Sequence, residues 1–112
     1  MMWESKIEPL SDIRETNDKI VISVDLPFVT SKDQIQIYFY GDSIEITANA
    51  SKKIRWRNSI SVGEAFETNQ YEKRIKLPIA VNEEDVKATF KNGILVITID
   101  KRNIKKKKIN IE

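Results

Sequence analysis

The 112-residue chain contains no cysteine and no histidine. Without thiols there is no disulfide framework and no thiolate nucleophile. Without imidazole there is no histidine base and no histidine-bearing metal site. Carboxylates, lysines, tyrosines and hydroxyls remain, but no Gly-rich phosphate loop or carboxylate pair in a recognisable context accompanies them. The reading is a non-enzyme with no cofactor and no metal. No apolar run approaches the roughly 20 residues that cross a bilayer. The start, Met1 to Lys6, has no apolar signal-peptide region. A cytoplasmic protein without a membrane partner is expected.

What is present fits one domain with one core. Apolar residues make up 40% of the chain and charged residues 32%, which favours a packed interior under a solvated surface. The net charge of +2 hides an asymmetry. Residues 1–100 carry 13 basic and 16 acidic groups, a net of −3. Residues 101–112 carry six basic groups and one acid, a net of +5. The body is mildly acidic and the tail strongly basic.

Nearly every periodic segment has period two. Ile20, Ile22, Val24 and Leu26 alternate with Val21, Ser23 and Asp25. The same pattern recurs through Ile35, Ile37 and Phe39, through Ile44, Ile46 and Ala48, and through Tyr71, Ile75 and Leu77. It recurs again through Val86, Ala88 and Phe90. Each is a half-buried strand. Ile94 to Ile99 is apolar on both faces and should be the most enclosed strand. Gly41-Asp42 and Asn92-Gly93 supply the positive φ values of tight hairpins. Leu26-Pro27 and Leu77-Pro78 end strands, because proline cannot donate to a ladder. Asn82-Glu83-Glu84-Asp85 has the form of one helical turn with an Asn cap. Residues 49–69 lack sustained alternation and read as a long loop holding one short strand, Ile54 to Arg57. The sum is an all-β, antiparallel, immunoglobulin-like β-sandwich.

Five features stand in order: Pro9 to Asp18 before the first strong strand; Asp25-Leu26-Pro27; the Gly41-Asp42-Ser43-Ile44-Glu45-Ile46 hairpin; Tyr71 to Pro78; and Ala88-Thr89-Phe90-Lys91-Asn92-Gly93-Ile94-Leu95. This order resembles the α-crystallin domain of small heat shock proteins. The last element is similar to the family's A-x-x-x-N-G-V-L signature, and Ile109-Asn110-Ile111 to its I-x-I tail. The resemblance covers roughly residues 9–112. It divides the chain into a short N-terminal arm (1–8), the domain (9–100) and a C-terminal extension (101–112). Four departures stand out. Phe28 replaces a usual Gly, Lys73 a frequent Arg, and Asp100 a Pro, and the arm before Pro9 is far shorter than the family's.

The resemblance implies a chaperone that holds unfolding proteins without ATP. It implies a homodimer in which the Ile54–Arg57 strand pairs with the Ser11–Glu15 strand of the other subunit. Ser11, Asp12, Ile13, Arg14, Ile54, Arg55, Trp56 and Lys73 would then form the dimer interface. It further implies larger oligomers, joined when Ile109 and Ile111 enter a neighbour's groove formed by Ile35, Ile37, Phe39, Val86, Ala88 and Phe90. Clients, other copies and related subunits are the partners implied.

The residues also carry plainer readings. The groove side chains double as sandwich core. The Lys105–Lys108 run serves as a solubilising spacer, as a steering charge towards an acidic neighbour, or as a phosphate contact. No stacking platform or groove-reading helix accompanies it, which argues against nucleic acid. Lys73 falls on the inward side of its strand and should reach the rim or meet a carboxylate. Asn82 to Asp85 matches no EF-hand spacing and reads as a solvated turn. Trp3 and Trp56 are client contacts or, for Trp56, interface packing. A CS-domain-like co-chaperone or adaptor shares the sandwich but lacks the exchange loop and the I-x-I tail.

Overall fold

The computed structural model of the chain describes residues 6–57, 65–102 and 109–112, with backbone alone at 55–57 and 65–66. Trp3, most of the N-terminal arm, Lys105–Lys108 and the side chains of Arg55 and Trp56 lie outside the described residues. Seven strands follow in order: β1 (Ser11–Glu15), β2 (Lys19–Asp25), β3 (Ile35–Tyr40), β4 (Ser43–Arg57), β5 (Ala65–Lys76), β6 (Val86–Lys91) and β7 (Ile94–Asp100). They form two antiparallel sheets, ordered β1-β2-β7-β6 and β3-β4-β5. No helix among the described residues is long and apolar enough to cross a membrane.

The alternation read from the sequence sets which side chains meet. Ile20, Ile22 and Val24 of β2 lie opposite Ile99, Ile97 and Leu95 of β7. All six are buried between the sheets. Ile44, Ile46, Ala48, Tyr71, Ile75 and Leu77 face them from the other sheet. Tyr71 is buried with its hydroxyl satisfied, donating to Pro27 O at 2.9 Å. Burial raises its pKa, which keeps the phenol a donor. β7 is flanked on both edges, by β2 and β6. Its second face is only half covered, and Ile94 is exposed. It is central in its sheet but enclosed on one face, not both.

Both two-residue hairpins form as their sequences indicate. Tyr40 pairs with Ser43 around Gly41-Asp42, and Lys91 with Ile94 around Asn92-Gly93. Asn92 (φ 53°) and Gly93 (φ 78°) are both left-handed, as a type I′ turn requires.

The segment 49–69 departs from the expected loop. Residues 49–57 continue β4, and residues 65–69 begin β5 of the same chain. Ile54 lies opposite Thr68, Trp56 opposite Phe66 and Arg57 opposite Ala65. A register shift between Asn49 and Ile54 places extra residues on β4. That bulge breaks the period-two signal without ending the strand. Two 3-10 turns precede the groove strands, at Lys32–Gln34 and Glu83–Asp85. The first is fixed by a capping box between Ser31 and Gln34. The second has Asn82 at its N-cap position, but the Asn side chain makes no capping bond there.

The two lateral seams of the sandwich differ. On one side, the N-terminal segment bridges both sheets. Ile7 makes a parallel bridge to Tyr71, with Ile7 N–H donating to Gln70 O and Glu72 N–H to Ile7 O. Lys6 pairs with Glu72 and Lys73 with Glu8, each at 2.6 Å. On the other side, β3 and β6 face each other as edge strands with no segment of the described chain between them.

Candidate docking groove and strand edges

The open seam is a groove. Its walls are Ile35, Ile37 and Phe39 of β3 and Val86, Ala88 and Phe90 of β6. Five are half-buried and Ala88 is exposed. The five half-buried ones belong to the core's margin rather than its centre, and with Ala88 they line one continuous seam. Ala88 is small, which leaves the middle of the β6 wall low.

The groove divides into two adjoining hollows. One, of about 480 Å³, is lined by Ile37, Phe39, Ile44, Val86 and Ala88, with Tyr38 and Glu83 at its rim. The other, of about 360 Å³, is lined by Ile35, Ile37, Ala88, Phe90 and Leu95, with Lys32 and Thr89 at its rim. The two share Ile37 and Ala88 and are stepped by two residues along each wall. A two-residue step along a strand is about 6.8 Å. Side chains at i and i+2 of an extended segment have the same spacing and point the same way. Ile109 and Ile111 have that relation.

The tail is not in the groove of its own chain. Ile109 is 84% exposed and Ile111 98% exposed. The base of the tail is fixed. Lys101 donates from Nζ to Glu15 Oε1 at 2.8 Å and to Thr16 O at 2.7 Å. Arg102 forks onto Asp100, Nε to Oδ1 at 3.0 Å and Nη2 to Oδ2 at 2.7 Å. The Arg102 side-chain bond, helped by the Arg102 backbone N–H, lowers the Asp100 pKa to about 2.

Two strand edges bear on the expected interface. β1 is the outer strand of its sheet, and Ser11, Asp12, Ile13 and Arg14 are all exposed. Ile13 lies opposite buried Ile22, so it points to the core side of the edge, yet it is 47% exposed. Beyond Ala48, β4 has outrun β3, and from Ile54 to Arg57 β5 is its strand neighbour among the described residues. Ile54 is half-buried against the core of its own chain. Lys73 lies opposite buried Ile46, and its ammonium meets Glu8 of its own chain, the carboxylate that its inward position demands.

Of the rim residues, Lys32 and Glu83 were not legible as groove residues, because they belong to neither alternating strand. The Ser31–Gln34 box is the signal that would have placed Lys32 at the start of β3.

The model of the Hsp20/alpha crystallin family matches residues 12–112. The chain is 31% identical over 105 residues to a protein named "Probable 15 kDa heat shock protein" from Leptospira interrogans, covering 94% of this chain and 78% of that one. It is 27% identical over 104 residues to spore protein SP21 of Stigmatella aurantiaca, covering 92% of this chain but 61% of that protein's length. Among solved structures, heat shock protein 16.0 of Schizosaccharomyces pombe superposes with a TM-score of 0.69 at 23% identity, over 96% of this chain and 77% of that one. The chain belongs to the Hsp20/alpha crystallin family, the small heat shock proteins.

Proposed function

We propose that this chain is an ATP-independent holdase that assembles through its open seam and captures unfolding proteins on the same apolar surface. The observation that carries this reading is the match between the two stepped hollows and the Ile109–Ile111 spacing. Burying two exposed Ile side chains is worth about 3–6 kcal/mol gross. Ordering the tail and joining two bodies offsets much of that. The link is therefore weak and reversible. A groove that releases a tail re-exposes apolar surface, and that surface suits an unfolding client.

Dimerisation by strand exchange is the second part of the proposal. Among the described residues, β1 and the Ile54–Arg57 end of β4 each have a strand on one side only, and such edges attract strands. Pairing one with the other across a two-fold axis satisfies both in a closed arrangement. Because Ile54–Arg57 already pairs with β5, the incoming β1 would add to the far side of β4 rather than receive a detached loop.

The test is particle mass by light scattering, on the full chain and on a chain ending at Asn103, alongside suppression of aggregation of a heat-denatured client. Large particles that fall to dimers on truncation, with altered suppression, support the reading. Equal masses for the two chains would remove the tail from assembly, and no suppression by either would sink the holdase.

A further inference from the structure

The Ile-x-Ile spacing is symmetric, so by spacing alone it would fit the two stepped hollows in either direction. The charges around the groove are not symmetric. Glu83 stands at the rim of the Val86 hollow; Glu84, next in the same turn, lines a separate hollow with Lys19, Lys87 and Arg102. Lys32 stands at the rim of the Phe90 hollow, in the turn that opens β3. No ion pair engages Glu83, Glu84 or Lys32 among the described residues. The groove thus has an acidic end and a basic end.

The tail carries the complementary polarity. Lys105 to Lys108 precede Ile109, and Glu112 follows Ile111. We propose that these flanking charges fix the direction of docking, with the tail of a second copy lying parallel to β6. Ile109 then fills the Val86 hollow and Ile111 the Phe90 hollow. In that direction the lysine run meets Glu83, and Glu112 meets Lys32. In the reverse direction lysine faces Lys32 and Glu112 faces Glu83. Each exposed contact is small, but reversal turns every attraction into a repulsion, so the contributions act in concert. The proposal rests on the tail-in-groove reading and adds its direction. Direction decides from which end of the groove the neighbour's body approaches.

The absence of native cysteine makes the test direct, since introduced thiols are the only ones. Two full-length double variants share a thiol at the acidic end: Asn82→Cys with Lys108→Cys, and Asn82→Cys with Glu112→Cys. Oxidation at low salt, followed by mapping of inter-copy disulfides by mass spectrometry, reads the direction. The expected result is a Lys108-position bridge at about five-fold or greater excess over the Glu112-position bridge, the bias that a few exposed charge contacts supply. The excess should collapse at 1 M salt, where the Debye length is about 3 Å, and in a Glu83→Lys background. Equal yields at low salt, or an excess of the Glu112-position bridge, would overturn the directional proposal while leaving the groove occupied. Neither bridge exceeding the level of an Ile109→Ser, Ile111→Ser control would overturn the groove reading itself.

Discussion

Phe28 has a φ of 66°, a left-handed conformation that costs a residue with a Cβ about 1 kcal/mol. Two things offset the strain. Ser51 N–H donates to the Phe28 carbonyl at 2.7 Å, and the Lys52 ammonium sits 4.0 Å from the ring centroid. A cation over an exposed ring contributes about 0.5–1 kcal/mol, so strain and contact nearly cancel. Lys52→Gln is expected to lower stability by about 0.5 kcal/mol in the native chain and to have no effect after Phe28→Gly. A chemical-denaturation double-mutant cycle checks this, and additive losses would refute the coupling. Asp100 offers a pH signature. Its pKa is depressed by Arg102 to about 2, so its contribution is present above the ordinary carboxylate range and is lost as pH falls towards 2. Asp100→Asn should therefore be less stable than the native chain at neutral pH, with the two converging near pH 2 in parallel thermal melts.

Among the elements, the Asn92-Gly93 hairpin is the most exacting. Gly93 has φ 78°, and its carbonyl accepts the Leu26 N–H at 2.8 Å, tying the hairpin to β2. A Cβ there would meet Leu26 O at 3.7 Å, ordinary contact distance. The cost of Gly93→Ala is therefore conformational, about 1–2 kcal/mol, measurable as a shifted denaturation midpoint with an unchanged slope. The N-terminal strap is a second case. Lys73 is 20% exposed and paired with Glu8. Glu8→Ala leaves that ammonium partly desolvated without its carboxylate, and a loss of about 1 kcal/mol is expected. The strands were legible wherever one face met the core, because period two repeats for as long as burial does. β4 was legible to Ala48 and again at Ile54–Arg57, but as two strands rather than one. Beyond Ala48 the register shift and the exposed Ser51, Lys52 and Lys53 erase the alternation, although Ile54 returns to the core. The groove walls were named from the family resemblance, which points to these two strands, while the alternation gives the residues on their inner faces. Lys32 and Glu83 at the rims could not be named, because they reach the groove through turns whose direction only the packing decides.

The whole molecule sets a polar, edge-exposed flank against an apolar seam. Ile13 is the exposed apolar side chain at the core side of the β1 edge. Under the proposed strand exchange, Ile13→Asp should weaken dimerisation roughly ten-fold or more, as loss of an apolar anchor buried on pairing does, while leaving the melting of dilute monomer within about 0.5 kcal/mol of native. Sedimentation across a concentration series separates the two, and an unchanged dissociation constant would remove β1 from the interface. The two seams then have a consequence in counting. One seam is closed by the chain's own start, and the other stands open beside a tail with two exposed isoleucines. Under the proposed docking, every copy brings one plug and one socket, so supply and demand balance at any assembly size. A mixture in which some copies lack the tail leaves the same fraction of sockets vacant. The density of vacancies becomes a dial set by composition, readable as dye binding that rises in proportion to the tail-less share.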